Sequence, residues 1–208
     1  MWSRDSMARP FTGATYSQAT FMTPVFHTDV VAKVWSVGHG TRPVAELIAV
    51  LNEAGIKVLA DVRSVPGSRR HPQFGRSELT STLADTSIEY VHLRGLGGRR
   101  DAASYSPHVA LKVDAFRGYA DHMASEEFAA DYARLVALAR ERSTAFMCAE
   151  TLWWRCHRRM LSDRLTVDGW SVVHLLAPGK SEPHRLWDVA RVVEGRLVYD
   201  GGALPLGS

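Results

Sequence analysis

Lysine is scarce in this chain of 208 residues: Lys33, Lys57, Lys112 and Lys180 are the only four among 25 basic residues. The rest are arginine, a bias that a GC-rich genome produces without functional cause, so their placement matters more than their total. Acidic residues number 22, leaving a formal charge of +3 and no strong electrostatic pull toward a polyanion. Cysteine occurs only at Cys148 and Cys156, which excludes a disulfide framework. No stretch approaches the roughly 18 apolar residues of a membrane span. The first 23 residues are rich in Ser, Thr and Ala and lack the apolar run of a signal peptide. A cytoplasmic protein with no membrane partner is expected. Neither a Walker phosphate loop nor a G-x-G-x-x-G fingerprint is present, so phosphate binding by those devices is unsupported.

What is present is ordinary for a folded protein: 46% hydrophobic and 23% charged residues. The length predicts one full domain with an extension, read as a flexible leader over 1–29 and an α/β domain over 30–208. Apolar, β-branched runs at Val31–Val37, Ile56–Val62, Ile88–His92, Thr144–Cys148 and Gly169–Leu175 predict five strands. Between them, helices are predicted from a Thr41 cap with Pro43 in the first turn to Gly55, over Ser77–Leu83, over Ala115–Arg142 in one or two pieces, and over Leu152–Leu165. A strand-like piece follows at Arg196–Tyr199. This alternation predicts a mainly parallel sheet flanked by helices. The polar connection Leu93–Leu111 is long for a compact domain and is read as a binding loop, a lid or a disordered segment.

Ligands of such sheets bind beyond the carboxyl ends of the strands. Each predicted strand delivers polar groups there. The first is followed by His39, the second by Asp61, Arg63, Ser64, Ser68 and Arg69. The third brings Tyr90 and His92, followed by Gly97, Gly98 and Arg99. The fourth leads to Cys148, Glu150, Cys156, His157 and Arg158. The opposite edge, with Ala54-Gly55, Thr86-Ser87 and Asp168-Gly169, is bland. Seven arginines fall between Arg63 and Arg100, and their forks match phosphate and carboxylate oxygens. Arg63, Arg69, Arg99 and Arg158 are the candidates for holding an anion, with His39, Ser64, Ser68, Tyr90, His92, Gly97 and Gly98 lining its pocket. Asp61 is either a proton-transfer group or a cap that clamps Arg63. Glu150 and His157, two turns apart on a continuous helix, are candidates for proton transfer.

Cys148, where strand turns to helix beside arginines, is the candidate nucleophile or redox thiol. Its spacing to Arg155 resembles the phosphate loop of cysteine phosphatases and rhodaneses, one residue too long. On a helical segment the two cysteines stand about 10 Å apart, beyond disulfide reach. Their spacing matches no zinc finger or ribbon. No cofactor is therefore expected, with zinc on Cys148, Cys156, His157 and a distant histidine as the alternative.

The ordered set Gly38-His39-Gly40-Thr41-Arg42, Asp61-Val62-Arg63-Ser64 with Pro66 and Ser68, Tyr90 with Leu96-Gly97-Gly98, and Cys148-Ala149-Glu150 with Cys156-His157-Arg158 resembles a widespread prokaryotic family, the domain of unknown function 488. The likeness spans about Trp35 to His184. Gly40 stands where that family commonly carries serine. The resemblance implies a cytoplasmic α/β domain with these residues around one site, and no established reaction. Three functions stay open: an enzyme acting on an anionic, nucleotide-like small molecule; a non-enzymatic nucleic-acid-binding accessory protein; and a thiol-based sensor or sulfur carrier. No exposed apolar stripe marks an oligomer interface.

Overall fold

The computed structural model describes residues 32–67 and 70–202. The expected leader, and the candidate residues Ser68 and Arg69, lie outside the described residues. Strands β1 (Lys33–Gly38), β2 (Val58–Asp61), β3 (Glu89–His92), β4 (Thr144–Cys148), β5 (Ser171–Ala177) and β6 (Lys180–Pro183) form one sheet in the order β3-β2-β4-β1-β5-β6. The first five are mutually parallel, and β6 runs antiparallel to β5 at the edge.

Alternate residues of the central strands point to opposite faces. Val34, Ala60, Phe146 and Val172 pack beneath α3 (Asp114–His122), α4 (Glu126–Glu141) and α5 (Arg158–Val167). Val37, Leu59, Ala145 and Met147 pack beneath α1 (Val44–Glu53) and α2 (Arg76–Ala84). Burial on both faces is why these strands read as continuous apolar runs.

The helix ends differ from the sequence pattern in instructive ways. Pro43, not Thr41, sits at the start of α1, its carbonyl accepting from the Glu46 and Leu47 amides. Gly55, at φ +66°, ends that helix as expected. The predicted helix over Ala115–Arg142 is two, because Ser125 caps α4 by accepting from the Phe128 amide. The segment predicted as one helix from Leu152 is a single 3-10 turn, Trp153–Arg155, then an extended Cys156, then α5. Two elements had no sequence signal. β6 is polar and mostly exposed, and β7 (Ala190–Val193) pairs with β8 (Arg196–Tyr199) as a separate hairpin.

The connection Leu93–Leu111 is anchored rather than loose. Asp131 accepts from the Gly95 amide (2.7 Å), and Asp121 accepts from the Ala103 amide (2.9 Å) and Ser106 Oγ (2.7 Å). Among the described residues, no helix is long and apolar enough to cross a membrane.

The topology sets the position of the site. The chain leaves β1 through α1 on one face toward β2, and leaves β4 through α5 on the other face toward β5. A crevice therefore opens where these adjacent strands end, at His39-Gly40 and Cys148-Ala149-Glu150. The His39 and Gly40 amides bond the Cys148 and Ala149 carbonyls (both 3.0 Å), holding the two strand ends together. Gly40 has φ +55°, and a Cβ there would meet Thr151 Oγ1 at 2.2 Å. A serine fits neither condition.

Candidate functional site

Asp61 is fully buried at the end of β2. Its carboxylate accepts from Arg63 Nε (2.8 Å), Arg63 Nη2 (2.5 Å), the Arg63 amide (3.1 Å) and Tyr90 Oη (2.6 Å). Four donors satisfy its two oxygens, so Asp61 is a clamp with no lone pair turned toward a ligand. Burial works against the Arg63 cation, but the Asp61 carboxylate outweighs it and holds the guanidinium above its ordinary range. Arg63 Nη2 also donates to the Phe74 carbonyl (2.9 Å), and Nη1 to His39 Nε2 (3.2 Å). Because Nε2 accepts, His39 carries its proton on Nδ1, which donates to the Gly40 carbonyl (2.9 Å). Burial keeps that ring neutral, with its pKa lowered to about 4, and it stacks on Phe74 at 4.1 Å. Burial and Asp61 raise the Tyr90 hydroxyl, so it remains a donor. His92 Nε2 donates to the Arg63 carbonyl (2.8 Å). Tyr90 and His92 thus position the Arg63 clamp, and neither lines the cavity.

The second cluster forms where the chain turns after β4. The 3-10 turn folds the segment back, so the two sulfurs lie 2.7 Å apart, not at opposite ends of a helix. Both thiols are free and buried. Burial pushes Cys148 up, and its S–H is given to Cys156. Cys156 behaves oppositely. Burial disfavours its thiolate, but the Cys148 S–H, the Arg158 charge and the Arg158 amide (3.5 Å) outweigh that and lower its pKa to about 7. Cys156 is therefore the ionisable thiol and Cys148 its donor, the reverse of the sequence expectation.

Arg158, 1% exposed, lies beneath these sulfurs. Its Nη2 donates to the Glu150 (2.5 Å) and Thr151 (3.3 Å) carbonyls, fixing the turn. Among the described residues its Nε has no hydrogen-bond partner and no carboxylate pairs with it. Burial opposes its charge, yet the two thiols hold it raised. His157 does not meet Glu150, since no continuous helix joins them. Its Nε2 donates to the Val62 carbonyl (3.3 Å), so the Nδ1 lone pair accepts from the Cys156 S–H (3.4 Å) while that thiol holds its proton. Burial keeps this ring neutral. Gly98 makes the arrangement possible, because a Cβ there would stand 2.3 Å from His157 Nδ1. Gly97 likewise packs against Ser64, whose Oγ is shielded and has no partner among the described residues.

These groups face a cavity of about 770 Å³. His39, Arg63, Ser64, Gly98, Arg99, Cys148, Glu150, Cys156 and His157 line it, together with Arg70, His71 and Arg155. Arg99 and Arg155 are exposed, and among the described residues neither side chain has a hydrogen bond or ion pair. Glu150 is the only carboxylate among the described lining residues. Sequence reasoning placed Arg155 after β4 but assigned it no role. The 3-10 turn, which no periodicity announces, is what delivers it.

Other polar groups are committed elsewhere. Trp153 stacks on His174 at 4.0 Å and donates to Glu182. Ser36, His174, His184 and Asp163 form a buried chain of hydrogen bonds of 2.6, 3.0 and 2.8 Å. With Asp163 as terminal acceptor, His184 donates through Nε2, His174 donates to His184 Nδ1, and Ser36 donates to His174 Nδ1.

Residues 43–165 match the family model described as Domain of unknown function DUF488. No curated protein and no solved structure matches the chain.

Proposed function

The chain belongs to the DUF488 family, whose description assigns no reaction, and from its own site we propose an enzyme acting on an anionic, nucleotide-sized small molecule. One observation carries this reading: two guanidiniums without a partner among the described residues, Arg99 and Arg155, share one cavity with Cys156, a thiol that its neighbours push down. The volume of about 770 Å³ lies within the range of ligand sites, roughly 300–1,000 Å³. Arg99 and Arg155 hold the anionic group at the mouth by charge-assisted hydrogen bonds. Ser64 Oγ, shielded and without a partner among the described residues, offers a further donor. The Cys156 thiolate is the nucleophile. It forms a sulfur bond to the electrophilic atom of the substrate, and the leaving group departs with the electron pair of the broken bond. Glu150 accepts the proton of the water or second substrate that resolves this adduct. Asp61, Arg63 and His39 are positioning residues that fix the β1 and β2 ends.

Titration calorimetry with inorganic phosphate and nucleoside mono- and diphosphates tests the reading. Replacing both Arg99 and Arg155 by alanine is expected to weaken binding at least tenfold, as loss of about 1.5 kcal/mol from charged hydrogen bonds implies. Cys156→Ser is expected to keep binding and abolish turnover. Unchanged affinity in the double variant overturns the assignment. Binding only to oligonucleotides, with affinity falling steeply with salt, identifies a nucleic-acid accessory protein instead.

A further inference from the structure

We propose that Cys148 and Cys156 are a reversible redox pair, closing to a disulfide that disarms the thiolate of the cavity. The proposal shares the Cys156 thiolate with the function above and nothing of its anion binding.

The geometry carries it. The sulfurs stand 2.7 Å apart, while a disulfide bond spans about 2.05 Å. Cys148 is fixed at the end of β4. Cys156 lies on extended backbone between the 3-10 turn and α5 (φ −136°, ψ 155°). Bond formation therefore requires a shift of well under 1 Å. The pair is also asymmetric as a dithiol reaction requires: both thiols line the cavity, with Cys156 pushed down by its neighbours and Cys148 pushed up by burial.

The chemistry balances with a hydroperoxide as oxidant. The Cys156 thiolate attacks the outer peroxide oxygen, the O–O bond breaks, and the product is a sulfenic acid plus an alkoxide or hydroxide that takes a proton. Cys148 sulfur then attacks the sulfenic sulfur. The S–O bond breaks, the Cys148 proton leaves with the hydroxyl as water, and the disulfide forms. Two thiols and one peroxide thus give one disulfide, one alcohol and one water. A small dithiol returns two electrons and two protons and restores both thiols.

Arg158 sets the direction of this equilibrium. Its guanidinium is buried, and no carboxylate among the described residues bonds it. The thiolate is its compensating charge, and oxidation removes that charge. The reduced form is thereby stabilised, and a disulfide opposed by such stabilisation is an oxidising, easily reduced one. It is a switch rather than a staple.

A metal is the competing occupant, because Cys148, Cys156 and His157 have ligand atoms within 4.8 Å of one another. Tetrahedral zinc with bonds of about 2.3 Å needs its two sulfurs about 3.8 Å apart. That separation lies farther from 2.7 Å than the disulfide does. Zinc would also place a dication beside the unpaired Arg158. The geometry favours the disulfide.

The test uses the full chain and no substrate. Reduced protein is treated with equimolar hydrogen peroxide, denatured, alkylated and weighed. The expected product has lost about 2 Da, has no alkylatable thiol and recovers both with dithiothreitol. Cys148→Ser is expected to stop instead at a sulfenic acid trapped by dimedone, and its Cys156 is expected to alkylate with a midpoint above the pH of about 7 of the parent. Two independently oxidised sulfurs in the folded parent overturn the proposal. So does stoichiometric zinc that blocks alkylation until chelated. A protein that closes the bridge yet binds no phosphate or nucleotide overturns only the function proposed above.

Discussion

Replacing Asp61 by alanine tests whether this carboxylate is a clamp or a catalyst. The change removes the acceptor of three Arg63 hydrogen bonds and of the Tyr90 hydroxyl in one step. Arg63, 8% exposed, is left as a buried cation whose remaining contacts are the Phe74 carbonyl and neutral His39. Leaving one member of a buried ion pair uncompensated costs about 3–5 kcal/mol. For a domain of this size about 2–4 °C is lost per kcal/mol, so the melting temperature should fall by about 6–20 °C. Thermal melts followed by circular dichroism, with urea unfolding alongside, measure it. The double variant Asp61→Ala/Arg63→Met removes the orphaned charge and should regain much of the loss, since an apolar replacement of a buried pair is often neutral. A loss below about 1 kcal/mol for Asp61→Ala refutes the clamp. A double variant no more stable than the single one does the same.

Asp163 gathers His184 Nε2 (2.8 Å), the Trp187 amide (3.0 Å) and Tyr199 Oη (3.0 Å) at full burial. Asp163→Asn presents a donor where only acceptors fit. It should lower stability by about 2–4 kcal/mol in urea titration, while Cys156 alkylation in the folded protein keeps its rate. Acid should also destabilise the fold. Burial lowers His39 from 6.5 to about 4 and holds His174 down as well. In this range the unfolded chain binds more protons, so stability is complete above pH 6.5 and declines as pH falls toward the folded values. His39 alone accounts for up to about 3 kcal/mol, read as a falling melting temperature between those limits.

Much of the fold was legible because parallel strands buried on both faces leave unbroken apolar runs, as Val58–Asp61 and Thr144–Cys148 do. The polar edge strand β6 left no such trace, because its partner and not its composition makes it a strand. The edge at which the candidate residues gather was legible too, since a parallel sheet sends the residue after every strand to the same edge. Their roles were not. In sequence Asp61 is either a base or a cap that clamps Arg63, and in space it is spent on four donors. Arg158 looks like an anion binder and is buried under two sulfurs.

The roles of the two cysteines turn on the turn between them. Helical periodicity at Leu152–Leu165 separates them, whereas the 3-10 turn at Trp153–Arg155 brings the sulfurs to 2.7 Å and swings Arg155 to the cavity. By itself, the sequence determined the sheet, its parallel order of helices and strands, and the edge where polar groups gather, because these follow from periodicity and chain direction. Only the tertiary structure decided which thiol its neighbours push down and which arginines have no partner among the described residues. Those properties depend on desolvation and on neighbours distant in the chain, such as Val62 against His157 and Gly98 against the same ring.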